Sequence, residues 1–294
     1  MSIKIWNRQK QKEEEEKVYG DAFIKVLYQS SLGFSFTEKI LSRAWFSKLY
    51  GSYQNTGRSK KKIPHFIRDF AIPMEEYETK KYVNFNDFFI RRFKEGKRNF
   101  TSTPEVMPAF AEARYSAYAS VDETVQFPVK GKSLNALSLL GDAKIAQKFV
   151  GGPGFIARLC PVDYHRFHFP DDGTAQSSYT LHGKLHSVNP LALKAKEEIF
   201  IENERQVSIL ETKNFGLLAY IEVGALCVGR IVQSYSSDKS FKRGEEKGYF
   251  LFGGSTVILL GEKGKWTPDA DLLERTKNAQ ESLVLLGTPI ARKL

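Results

Sequence analysis

The stretch Phe250-Leu251-Phe252-Gly253-Gly254-Ser255-Thr256-Val257-Ile258-Leu259-Leu260 sets two strand-like apolar runs against each other across a Gly-Gly-Ser-Thr step. One reading is a hairpin turn, in which glycine supplies positive φ and the hydroxyls satisfy local backbone groups. The other is a processing junction. A serine hydroxyl can attack the carbonyl carbon before it when a base takes its proton and the peptide is held strained. Gly254 offers the least hindered carbonyl and the widest backbone range. The resulting ester breaks by β-elimination to dehydroalanine, which hydrolyses to a pyruvoyl group and ammonia. The residues alone leave both readings open.

Outward from this stretch, the chain after residue 100 keeps the same texture. Short β-branched and aromatic segments recur at 115–127, 155–160, 164–169, 179–188, 199–202, 206–211, 217–223, 226–233, 248–252 and 256–260, punctuated by Gly and Pro. The spacing predicts a mostly antiparallel β core of sandwich or barrel type rather than alternating βαβ units. One helix is expected near 189–197, after Asn189-Pro190, and the tail 266–294 shows no clear pattern. Before residue 100 the signals are helical, so the fold class is α+β.

That first third differs in charge as well. Residues 1–100 hold 21 Lys and Arg against 12 Asp and Glu, whereas the remaining 194 residues hold 23 against 22. They also carry 19 of the 38 aromatic residues. Such a basic, aromatic front points to an anionic partner, either nucleic acid or a membrane. Ser35 and Glu38 have capping-box spacing, followed by Phe36, Ile40, Leu41, Ala44, Trp45 and Leu49 on one helical face, with Lys39, Arg43 and Lys48 largely opposite. Residues 8–18 read as a solvated lead-in and 51–62 as a basic loop. Short helices are expected after Pro64 and after Asn84, the latter with Phe85, Phe88, Phe89 and Phe93 inward. No apolar run approaches the ~18 residues of a membrane-spanning helix. Cys160 and Cys227 are too few for a disulfide framework, which favours a reducing compartment.

Four of the five histidines, His165, His168, His182 and His186, fall within 22 residues. His165 and His168 would face opposite sides of a regular strand unless a bulge intervenes. They can serve as a general base beside a proton donor or as metal ligands, and no third ligand at a fixed spacing favours metal. Glu112 is a carboxylate able to orient a histidine, or a surface partner of Arg114.

With these residues in view, the chain resembles the phosphatidylserine decarboxylases over about residues 84–260. The motifs that carry the resemblance occur in order. They are Asn84-Phe85-Asn86-Asp87-Phe88-Phe89-Ile90-Arg91-Arg92-Phe93, Val129-Lys130-Gly131-Lys132 with Leu139-Leu140-Gly141, and Asp163-Tyr164-His165-Arg166-Phe167-His168. Ser187-Val188-Asn189-Pro190, Val223-Gly224-Ala225 with Val228-Gly229, and Gly244 to Phe250 running into Gly253-Gly254-Ser255-Thr256 complete the set.

The resemblance implies self-cleavage between Gly254 and Ser255, giving a β chain of 1–254 and an α chain of 255–294 headed by a pyruvoyl group. That covalent pyruvate, made from Ser255, is the cofactor it implies, and no metal is expected. Phosphatidylserine would bind it as a Schiff base and leave as phosphatidylethanolamine and CO2. His168 matches the histidine that deprotonates Ser255, and His165 matches the one tied to decarboxylation. Glu112 stands where the family has the aspartate that steadies His168. The implied partners are phosphatidylserine in the membrane and the two chains of one precursor, with a further dimer left open and no nucleic acid. The implied place is the cytoplasmic side of the cell membrane, held peripherally by residues 1–100, with 101–294 as the catalytic core. Phe36, Trp45, Phe46 and Tyr50 are the expected interfacial residues. A pyruvoyl decarboxylase of a soluble amino acid and a non-enzymatic membrane- or RNA-binding protein are the competing readings.

Overall fold

The computed structural model describes residues 3–16, 19–121, 125–126, 133–196, 198–226, 230–236, 238–253 and 255–294. Gly254, Cys227 and the motif pieces Val129-Lys130-Gly131-Lys132 and Val228-Gly229 lie outside the described residues.

A ten-stranded sheet organises the molecule, in the order Ser240–Phe241, Gly173–Leu181, Arg205–Thr212, Gly216–Val223, Ser255–Gly261, Gly152–Leu159, Ala113–Val121, Ser282–Val284, Lys4–Asn7 and Lys12–Glu15. Its neighbours are antiparallel except for Lys4–Asn7 beside Ser282–Val284. The centre is covered on both faces, so Gly152–Leu159 and Ser255–Gly261 are buried at every position. Near the edge, Gly173–Leu181 is largely half-buried or exposed. A small sheet of Ile231–Gln233, Glu246–Phe250 and Arg166–His168 carries the histidine segment, and a third joins Trp266–Pro268, Pro289–Lys293 and Val106–Pro108. The class is α+β as expected, and the sheets are open rather than closed into a barrel.

Helices Asp21–Gln29, Ser31–Phe36, Ala44–Gln54, Ile63–Phe70 and Phe85–Phe89 lie on this frame, with a π turn at Thr37–Leu41 and a 3-10 turn at Gly57–Lys62. Several local expectations change. Ser35 sits inside a helix whose cap is Ser30, its Oγ accepting the Gly33 N–H at 3.0 Å. Residues 199–202 form a helical turn rather than a strand. The lead-in is a hairpin that extends the large sheet, with Ile5 and Asn7 buried beneath it. The tail 266–294 supplies three strands and a helix, and Trp266, Leu272 and Ile290 are core residues.

Two apolar clusters matter for the site. The larger fills the space around the ten-stranded sheet. The smaller joins Phe66, Phe85, Phe88 and Phe89 of the N-terminal helices to Tyr164 and Phe252 of the β core. Each such aromatic contributes ~1.5–3 kcal/mol on burial, and here the burial fastens the helices to the segments bearing the candidate chemistry.

Candidate active site

Ser255 begins the central strand, paired with Leu159, and Thr256 pairs with Arg158 on one side and Val223 on the other. A buried hydroxyl normally finds a partner, because leaving one unpaired costs ~1–3 kcal/mol. Ser255 Oγ and Thr256 Oγ1 are both buried and have no hydrogen-bond partner among the described residues. Two residues before Ser255, Gly253 adopts φ 140°, a backbone state that side chains disfavour. A positive φ at Gly253 and a buried, unpaired hydroxyl at Ser255 therefore lie two residues apart.

His165 lies beside Gly253. Its ring lies 3.9 Å from the Phe89 ring, centroid to centroid. Nδ1 sits 3.0 Å from the Asp163 carbonyl oxygen, which puts the proton on Nδ1 and the lone pair on Nε2. Nε2 is buried and makes no hydrogen bond of normal geometry. Burial lowers the imidazole pKa to about 3, opposed by the carbonyl of Asp163 and the nearby backbone of Gly253. The ring is a neutral, desolvated base beside the junction.

His168 has different company. Nδ1 lies 2.9 Å from the Gly244 carbonyl oxygen and Nε2 lies 3.2 Å from the Tyr164 hydroxyl. Burial lowers its pKa to about 4. Its backbone N–H donates to the Phe110 carbonyl at 2.8 Å, so the segment preceding Glu112 packs against it. The Glu112 carboxylate itself is taken by Arg98, at 2.5 and 3.0 Å, and accepts the Leu286 N–H at 3.3 Å. Burial raises the Glu112 pKa against the pull of Arg98. The structure thus brings His165 beside Gly253, whereas His168 is engaged by Tyr164 and the Gly244 carbonyl. Glu112 meets Arg98, and no Glu112–His168 hydrogen bond is among those of the described residues.

The remaining histidines are apart from this centre. His182 is exposed, 3.3 Å from Glu204. His186 is buried 3.3 Å from Glu38, in a cluster with Glu202 whose carboxylates are held by Lys184 and Lys196 at 2.6–3.3 Å. The two lysines supply the charge a cation would bring, so this cluster works as an ionic clasp between the π turn and the core.

Behind the junction, Glu16 bridges Arg114 and Arg158 at 2.8 and 2.9 Å, Arg114 also binds Asp163, and Arg158 binds Glu281. Burial alone would raise Glu16, but Arg158 and Arg114 outweigh it and hold its pKa at about 2. A mainly apolar cavity of about 220 Å³ opens here, with Phe252 and Gly253 at its inner end and Phe23, Ile24, Phe46 and Tyr50 on the helical side.

Sequence reasoning treated residues 84–93 as a family mark and a source of core phenylalanines, and so missed what this segment holds. Asn86 Oδ1 accepts the Phe252 N–H at 2.9 Å, and Arg91 Nη2 donates to the carbonyls of Val162 and Asp163 at 2.9 and 3.2 Å. Tyr164 was likewise passed over beside its two histidines. A buried asparagine or arginine cannot go unpaired, and that was the available signal.

The family model for phosphatidylserine decarboxylase matches residues 85–284. A phosphatidylserine decarboxylase proenzyme of Clostridium novyi is 41% identical over 294 residues, covering 99% of this chain and 100% of the relative. Proenzymes of the same description from Clostridium perfringens and Clostridium kluyveri are 42% and 41% identical, each across 99% of this chain. These matches set the chain among the carboxy-lyases. It belongs to the phosphatidylserine decarboxylase family.

Proposed function

We propose that the chain cleaves itself at Gly254-Ser255 and then decarboxylates phosphatidylserine at a membrane surface. The observation that carries this reading is the buried, unpaired Ser255 Oγ two residues after the positive-φ Gly253, whose backbone lies beside the neutral His165 imidazole. A base removes the Ser255 hydroxyl proton, Oγ adds to the Gly254 carbonyl carbon, and the Gly254–Ser255 C–N bond breaks as the nitrogen takes a proton. Removal of the Ser255 Cα proton then expels the Gly254 carboxylate. Water replaces the nitrogen, which leaves as ammonia. On the family pattern His168 is the first base, and it must exchange its Tyr164 hydrogen bond for Ser255 to act. Glu112 then serves by bracing Arg98 and the segment against His168 rather than by touching the ring.

The residues fit a pyruvoyl group at position 255. Thr256 Oγ1 and His165 Nε2 are buried and unpaired, ready to meet new polar atoms there. Such a group supplies a carbonyl for the substrate amine and a sink for the electrons released with CO2. On the family pattern His165 protonates the substrate carbon, for which its Nε2 lone pair must first take up a proton, and Phe89 packs against its ring. The apolar cavity excludes water from a carboxylate that must be lost as neutral gas.

The lipid reading rests on the helical surface. Phe23, Val26, Leu32, Phe36, Trp45 and Leu49 are 46–85% exposed on the helical segment that supplies part of the cavity wall, and Lys39, Arg43, Lys48 and Lys60 of the same N-terminal region are exposed as well. Phe36 and Trp45 project outward, whereas Phe46 and Tyr50 are half-buried in the cavity wall. No helix among the described residues is long and apolar enough to cross a membrane. Intact mass of the purified protein tests the cleavage: chains of 254 and 40 residues, the shorter one starting in a keto acid, are expected. Recovery of active, uncut chain would end the proposal.

A further inference from the structure

We infer that Asn86 positions the scissile junction for self-cleavage, clamping the chain two residues before the bond that breaks. The inference rests on the cleavage proposed at Gly254-Ser255. On the far side of that bond the chain is fixed, because Ser255 pairs with Leu159 and Thr256 with Val223 and Arg158. On the near side, the Phe252 N–H donates to Asn86 Oδ1 at 2.9 Å. Asn86 is 3% exposed, and its Nδ2 donates to Asn55 Oδ1 at 2.8 Å, which fixes the amide with its oxygen toward Phe252. The Phe252 ring is gripped as well, 5.0 Å from Phe85, 4.9 Å from Phe89 and 5.7 Å from Tyr50.

Two anchors thus stand three residues apart, and between them Gly253 holds φ 140°. A freely moving loop would relax that state. With both ends held, the short span that carries the scissile bond has fewer arrangements to search, which is the entropic requirement of an intramolecular attack. The same short helix presents Phe89 to His165, so one element sets both the bond and the imidazole beside it. Asn86 touches neither reacting atom. It is a positioning residue acting through the Phe252 backbone.

The step affected is the N-to-O acyl shift, in which the C–O ester bond forms as the C–N bond breaks. The test follows chain cleavage over time in wild type, Asn86→Ala and Asn86→Asp, with and without hydroxylamine, which releases the chains once the ester exists. Asn86→Ala is expected to cleave at least tenfold more slowly, and hydroxylamine is not expected to release its chains faster. Asn86→Asp keeps an acceptor toward Phe252, Asn55 can turn its amide to donate, and cleavage within a few-fold of wild type is expected. Should Asn86→Ala fail to fold in a Ser255→Ala background, Asn55→Ala replaces it, with a several-fold slowing expected. Cleavage at the wild-type rate, or rapid release by hydroxylamine, in the folded variant would overturn the inference. An uncut wild type would instead overturn the cleavage reading itself.

Discussion

Single side chains at this centre are read by what they have given up to be buried. His165 keeps an open Nε2 beside Gly253, and His168 is engaged at both nitrogens. His168→Ala should leave the chain uncut, whereas His165→Ala should cleave more and fail to decarboxylate. Equal processing of both on a denaturing gel would refute the division of roles. Glu112 and Arg98 form a buried pair, and losing one partner of such a pair costs ~3–5 kcal/mol. Glu112→Gln and Arg98→Ala should therefore each lower Tm, and the double variant should be little worse than either. Additive losses would show that the pair is not the main interaction. Ser255, His165 and His168 stood out as candidates by residue type and spacing, and the roles proposed for them come from the family resemblance. The partner of Glu112 was not legible, because an ion pair between Arg98 and Glu112 is made by tertiary folding and neither residue advertises it.

At the level of elements, strands were legible where burial imposes β-branched runs bounded by glycine, as in Ser255–Gly261 and Arg205–Thr212. Ile199–Glu202 misled because Ile-Phe-Ile suits either a buried turn of helix or a strand. Lys12–Glu15 hid its strand under charge, which is how an exposed sheet edge is kept from pairing with other chains. The helical front raises a separate expectation. Each Lys or Arg near an anionic bilayer contributes ~1 kcal/mol, screened within a Debye length. Charge reversal at Lys60, Lys61 and Lys62, or Trp45→Ala, should weaken binding to vesicles containing anionic lipid and leave Ser255 cleavage intact. Sedimentation with vesicles checks the first point, and a gel checks the second. Full binding after both changes would remove this face from the membrane.

Across the whole molecule, three buried imidazoles tie stability to pH. The pKa values of His165, His168 and His186 are lowered by burial to about 3, 4 and 4. Unfolded histidine titrates near 6.5, so below that pH the unfolded chain binds more protons than the folded one. Stability is therefore complete above about pH 6.5 and falls as the pH drops toward about 4, by up to ~1.4 kcal/mol per pH unit for each histidine. Glu16, at about 2 when folded against 4.5 for a free carboxyl, adds a further loss at lower pH. Urea unfolding of the uncut Ser255→Ala chain across this range measures the slope. A flat profile would mean that the imidazoles are not neutral in the fold.

The position of Ser255–Gly261 in the middle of the large sheet carries one more consequence. Residues after the cut supply a central strand, and Ser282–Val284 of the same piece pairs with Lys4–Asn7 from the other end of the chain. Once cut, the two pieces are interleaved like the fingers of clasped hands, with no covalent thread to guide them back. Folding before the cut is a unimolecular search, whereas reassembly after it is an encounter whose rate depends on concentration. Maturation then has a direction in time: the precursor can be denatured and recovered, but the mature enzyme, diluted and unfolded, cannot easily be made again from its parts.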